Sequence, residues 1–294
     1  MSNVEVSKLS GSALIVNLNL SVWTARKQDR RVAEEIDQAK STKTRAGNYS
    51  KHLLAGSGKL DEVTKLANAV RTWHYTYTQP WGDNGDRMLP MTMFADYRAR
   101  LTEYETQFAT AVNNFLSEYE TLVAAAAFQL GDLFNREDYP SREAVTSKFG
   151  FRYAFTPLPT SGDFRVDIHE QGLEELRTHY EQVMADRTQT MMKDAWDRLY
   201  DVLSRMSERL ADDTDPETGE PKRKIFRDSL VENAVDVCKL LKHFNTTGDT
   251  RLEALRQQLE ETMRGVDAQA LRESDLLREQ TKTKVDALLD KFSL

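Results

Sequence analysis

Seven cations gather early in the chain, Arg26, Lys27, Arg30, Arg31, Lys43, Arg45 and Lys51, and the aromatics Tyr49, Trp73, His74, Tyr75, Tyr77 and Trp81 stand among or after them. Lysine and arginine neutralise phosphates, and aromatic faces stack on unpaired bases at about 1–3 kcal/mol each. The pattern is that of a sequence-tolerant site for single-stranded nucleic acid. The seven cations would hold phosphates, and Trp73, Tyr77 and Trp81 would stack bases. Two other readings compete. Trp73 and Tyr77 are four residues apart at a helix end and could be core, with the charges at 26–31 forming a solvated helix face; or the segment could dock a protein.

The charge balance sharpens this picture. Net charge is -7 and the isoelectric point about 5.4, which on average repels nucleic acid. Between Arg26 and Lys59, however, nine basic residues face four acidic ones, so a local basic segment sits on an acidic remainder. A hydrophobic content of 39% with 30% charged residues suits solvated helix faces. The single cysteine, Cys238, excludes an intrachain disulfide framework and lies at helical spacing with Val235 and Leu241, so it reads as a small buried hydrophobe. No secretory leader and no apolar run long enough for a bilayer stands out, which gives the expectation of a cytoplasmic protein without membrane contact.

Catalytic patterns are thin. None of the five histidines (His52, His74, His169, His179, His243) follows a glutamate by three positions, as di-iron bundles require, and there is no His-Glu-x-x-His or paired Cys/His spacing. Gly58-Lys59 resembles the end of a phosphate loop, yet positions 53 and 60 are both leucine, where that loop needs a glycine and a hydroxyl. Asp215, Glu220 and Lys222 suggest a nuclease arrangement, but they lie in a Pro/Gly linker rather than on strands that could fix a metal. The expectation is a non-enzymatic protein with no cofactor and no metal.

Two stretches must supply the frame. Phe94–Phe134 and Gly172–Leu210 place apolar residues at alternating three- and four-residue steps, so each predicts one long amphipathic helix. Alternation over Ala13–Trp23 predicts a strand whose partner the sequence does not name, and Arg30–Lys40 a short charged helix. Ser41–Gly58 reads as a loop or arm, Leu60–Tyr75 as a helix, and Gln79–Pro90 as a turn-rich loop carrying Trp81. Phe149–Phe155 and Phe164–Ile168 alternate with period two and predict a β-hairpin. Beyond a charged linker at Ala211–Lys224, three helices follow over Ile225–Phe244, Thr250–Met263 and Ala268–Phe292. The expected fold is mainly α with a small β element: a long antiparallel, coiled-coil-like helical hairpin plus C-terminal helices. Its domains would be residues 1–90 (strand, basic arm and helix), 91–213 (hairpin with a β insertion at 149–168) and 225–294. Such seams pair between chains as readily as within one, so a homo-oligomer is expected.

At Arg45–Leu54 (RAGNYSKHLL), Gln79–Pro90 (QPWGDNGDRMLP), Asp138-Tyr139-Pro140 and Gly162–Ile168 (GDFRVDI), the chain resembles a family of uncharacterised tailed-phage proteins encoded among replication and recombination genes. The resemblance spans roughly residues 10–210 and carries no catalytic motif. It implies a phage-encoded cytoplasmic helper in DNA metabolism, or a partner of a neighbouring ATPase. Joined to the pattern of cations and aromatics, the leading expectation is a non-enzymatic oligomer that binds single-stranded nucleic acid; the alternative is an adaptor that assembles through its long helices with itself or with a phage ATPase. The C-terminal helices lie outside it.

Overall fold

The computed structural model describes residues 9–159, 170–214 and 221–292. The chain divides into two compact units built from separated stretches. An inner unit comprises Leu18–Thr76 and Asp96–Ala154; a terminal unit comprises Met1–Asn17, Tyr77–Ala95 and Phe155–Leu294. The expected division into 1–90, 91–213 and 225–294 follows the chain, whereas these units do not.

In the inner unit, strand β2 (Arg26–Gln28) pairs antiparallel with β3 (Ser50–His52), placing Lys27 opposite Lys51. Helix α1 (Arg30–Ala39) follows β2 directly, and the Asp29 side chain caps it by accepting from the Val32 amide. Helix α2 (Gly58–Thr76) buries Leu60, Val63, Ala67 and Val70 at steps of three and four. The 37-residue helix α3 (Phe94–Leu130), roughly 55 Å long at 1.5 Å per residue, buries Tyr97, Leu101, Phe108, Val112, Phe115, Tyr119, Val123 and Ala126 along one face. Much of that face closes a core with Trp23, Leu53, Leu60, Val63, Ala67, Tyr139 and Val145. The helix stops at Gly131, whose φ of 50° an L side chain adopts only with strain. Short helix α4 (Arg142–Thr146) begins after Pro140, with the Ser141 hydroxyl accepting from the Ala144 amide.

In the terminal unit, the first half of β1 (Ala13–Ser21) pairs antiparallel with β5 (Asp86–Pro90), Ala13 facing Pro90 and Asn17 facing Asp86. Strand β4 (Gln79–Pro80) pairs on β5, and with β6 (Gly150–Pro157) the sheet order is β4-β5-β1-β6. The strand at Ala13–Trp23 therefore finds its partner in the stretch expected to be a loop. Pro80 and Pro90 sit at strand ends, where a missing amide is tolerated, and Gly85 (φ 88°) turns the chain between the two strands. The second strand of the expected hairpin, Phe164–Ile168, lies outside the described residues.

The 41-residue helix α5 (Glu170–Leu210) buries Met184, Met191, Ala195, Leu199, Leu203, Met206 and Leu210. Helices α6 (Ser229–Phe244) and α9 (Asp275–Leu289) pack against it, as does β4, while α7 (Thr250–Met263) packs on α6 and α9. The expected last helix breaks into α8 (Ala268–Glu273) and α9 at Ser274, whose hydroxyl caps α9. The expected linker holds a small ribbon, β7 (Asp212–Thr214) antiparallel to β8 (Pro221–Arg223).

The molecule is thus mainly helical with a small antiparallel β component. The seam of α3 is covered by α2 and the loops of its own unit, and that of α5 by α6 and α9 in the other. Burial of these seams does not rest on an antiparallel hairpin of the two long helices. Spacing of three and four residues states that something apolar must cover a helix face, not which element does so.

Candidate nucleic-acid interface

The basic segment folds as one continuous passage of the inner unit: β2, the N-cap Asp29, α1, the 41–49 loop and β3. Arg26, Lys27, Arg30, Arg31, Lys43 and Arg45 are all exposed. The side chains of Arg26, Arg30 and Lys43 have no hydrogen bond or ion pair with any described residue. Lys27 reaches Asp138 only at 4.0 Å, Arg31 pairs with Glu35 at 3.7 Å and donates to the Asp132 carbonyl at 3.1 Å, and Arg45 donates to the Gly47 carbonyl at 3.4 Å. Exposed contacts of this kind are each worth about 0–1 kcal/mol, so a polyanion can displace them.

Helix α1 breaks a rule. Its first turn carries Arg30 and Arg31 and no acidic residue, although the positive end of the helix dipole disfavours cations there by about 0.3–1 kcal/mol each. Two exposed guanidinium groups therefore stand beside the end of α1 that the Asp29 carboxylate caps.

Lys51 does something else. It is buried, with Nζ 2.8 Å from Asp138 Oδ2, 3.1 Å from Asp29 Oδ2 and 2.7 Å from the Leu133 carbonyl oxygen. Desolvation alone would lower its pKa, but hydrogen bonds and charge from Asp138 and Asp29 more than reverse this and hold it above the ordinary lysine value. The Lys51 hydrogen bond, with the Val32 amide next, holds the Asp29 carboxyl below its ordinary value. Lys51 thus fixes the carboxylate that caps α1. Its ammonium is enclosed by these partners, whereas the other six cations expected to hold phosphates are exposed.

The aromatics expected to stack on bases are divided between the two units. Trp73 belongs to the inner unit and is half-buried, its ring stacked 4.5 Å from Tyr97 at 24° and tilted against Tyr104 at 5.2 Å. Tyr77 and Trp81 belong to the terminal unit. Tyr77 is partly exposed, but Trp81 is 3% exposed among Leu9, Ala13, Met88, Leu158, Met184 and Met191. Period-two alternation put Trp81 inside: it follows Gln79 by two residues at the end of β4, and both are buried. What sequence reasoning missed was the pairing of Lys51 with Asp29 and Asp138, the second of which is 87 residues away; only the strand alternation of Ser50, Lys51 and His52, exposed, buried and exposed, hinted at it.

Other chemistry can be placed briefly. Gly58-Lys59 opens α2 as ordinary helix, with Lys59 3.8 Å from Glu118. Asp215 and Glu220 lie outside the described residues. Among the described residues no cluster of three or more His, Cys, Asp or Glu side chains could hold a metal, and no helix is long and apolar enough to cross a membrane. Cys238 is buried, and burial raises its thiol pKa to about 11. No protein-family model, no curated protein and no solved structure matches this chain.

Proposed function

We propose that the protein is a non-enzymatic nucleic-acid-binding protein that grips phosphates through Arg26, Lys27, Arg30, Arg31, Lys43 and Arg45. The observation that supports this best is the paired arginines at the start of α1, held by Lys51 through Asp29, with Arg26, Arg30 and Lys43 unpaired nearby in sequence. A grip of this kind reads charge and spacing but not bases. The place in phage replication or recombination rests on the sequence resemblance; the single-stranded substrate rests on the sequence pattern of cations and aromatics, in which buried Trp81 and stacked Trp73 are poor partners for bases. Titrating the protein with a fluorescein-labelled oligonucleotide should raise its anisotropy, and R30E/R31E/R45E should weaken binding at least tenfold. Because Trp23 and Trp81 are buried, Trp73 is stacked on Tyr97 and Trp196 is packed on Phe292, tryptophan emission should change little through the titration. Strong quenching would favour stacking, and unaltered affinity in the triple variant would remove the reading.

A second reading, an adaptor assembling with itself or with an ATPase, is favoured by one observation. Phe128 is 92% exposed on α3, within a run from Thr121 to Gly131 that holds no charged residue. Because the seams of both long helices are occupied, assembly would use such outer faces rather than a coiled-coil seam. Light scattering should then show a discrete oligomer that Phe128→Glu dissociates; a monomer in both would remove it.

A further inference from the structure

At the C-terminal end of α5, in the terminal unit, a cleft of about 520 Å³ opens between the last turns of that helix and the segment leading into α6. Arg205 and Arg209, one helical turn apart, line one side, and Arg227 lines the other. None of these three guanidinium groups has a hydrogen bond or ion pair with any described residue. One carboxylate, Glu208, shares the lining. Beside the arginines stands Ile225, 90% exposed, with half-buried Leu230 behind it. The cleft thus presents an uncovered β-branched side chain beside three guanidinium groups.

A simpler role is available for Arg209, since cations near a helix C-terminus complement its dipole. Here that end is already served. Arg278 of α9 donates to the carbonyls of Arg209, Leu210, Ala211 and Lys224 at 2.9–3.4 Å, closing the end of α5 from the other side. Its neighbour Phe226 is likewise covered, with Arg272 and Arg278 over its ring at 5.1 and 5.5 Å. The nearby arginines of the fold have partners, and those lining the cleft do not.

We propose that this cleft docks an acidic segment of a partner protein, with carboxylates on Arg205, Arg209 and Arg227 and an apolar side chain against Ile225 and Leu230. Charge complementarity selects this occupant. Arginine forks match carboxylates, and an exposed aliphatic side chain beside them suits a peptide with apolar residues better than a sugar-phosphate chain. The terminal unit carries 32 acidic residues against 23 basic ones, so its net charge disfavours an acidic partner away from a cluster of cations such as this one. The proposal is independent of phosphate binding by the inner unit.

The test is selection of a random peptide library on the immobilised full-length protein, followed by anisotropy with the enriched peptides. Enriched sequences should combine aspartate or glutamate with leucine, isoleucine or phenylalanine. Their binding should fall about tenfold or more in R205E/R209E and several-fold in Ile225→Ser, which leaves every charge in place. All replaced side chains are exposed, so thermal melts of the variants should match the parent. A labelled oligonucleotide should bind both variants as it binds the parent. The proposal is overturned if no acidic bias emerges, if the peptides bind the variants undiminished, or if the variants lose the oligonucleotide instead, which would make the cleft a phosphate site.

Discussion

Lys51 and Arg30 differ in the sequence only by neighbours, yet the structure gives them opposite tasks. Removing the Lys51 ammonium leaves Asp29 and Asp138, each 13% exposed, without their close shared cation, with only exposed Lys27 4.0 Å from Asp138. Lys51→Met should therefore cost about 3–5 kcal/mol in urea unfolding, whereas Arg30→Ala should stay within about 0.5 kcal/mol. Equal effects would mean that Lys51 is no more embedded than Arg30. Cys238 gives a second check at this scale. A thiol that is buried and raised to about 11 should react with an aromatic disulfide reagent at neutral pH only as fast as the protein opens, and at once in denaturant. Its burial was legible from its spacing with Val235 and Leu241. The burial of Lys51 was not, because Asp138 reaches it only through the fold.

At the level of elements, helix spans were readable because apolar periodicity is local, and Thr250–Met263 ends where the pattern predicts. Covering partners were not readable, since any apolar face suffices. Hidden end-caps belong to the same class: Arg278 lies 68 residues beyond the Leu210 carbonyl that it serves. Arg278→Met removes donors from the Arg209, Leu210 and Ala211 carbonyls at the end of α5 and from that of Lys224, and should cost about 2–4 kcal/mol, with the loss of helical signal measured by circular dichroism during melting. The α6–α7 contact carries a pH signature. Glu260 accepts from Arg256 at 2.6 Å and from Lys242 at 2.9 Å, and those bonds lower its pKa to about 2; Arg256 also lowers Glu253. A depressed carboxylate stabilises the fold fully above its unfolded value near 4.5 and progressively less as pH falls towards 2. Melting temperature should fall across that window in the parent and fall less steeply in Glu260→Gln. Parallel profiles would show that the network contributes nothing to acid stability.

Over the whole molecule, charge divides with the fold. The inner unit holds 17 basic and 15 acidic residues, and the acidic excess belongs to the terminal unit. That separation was partly legible as a basic run near the N-terminus, although the run alone could not show that Asp29 and Asp138 neutralise Lys51 while Arg26, Arg30 and Lys43 stay unpaired. The mainly helical class was legible as well. The discontinuous units were not, because β1 takes its partner β5 from residues whose prolines and glycines read as loop. The central claim is that the exposed cations around α1 hold phosphates, so the most direct measurement is the salt dependence of oligonucleotide affinity for the parent and for R26A/R30A/R31A. A steep log–log slope in the parent, reduced by roughly one for each phosphate contact removed, is the predicted result. A slope identical in the two proteins, or no binding at low salt, would contradict it.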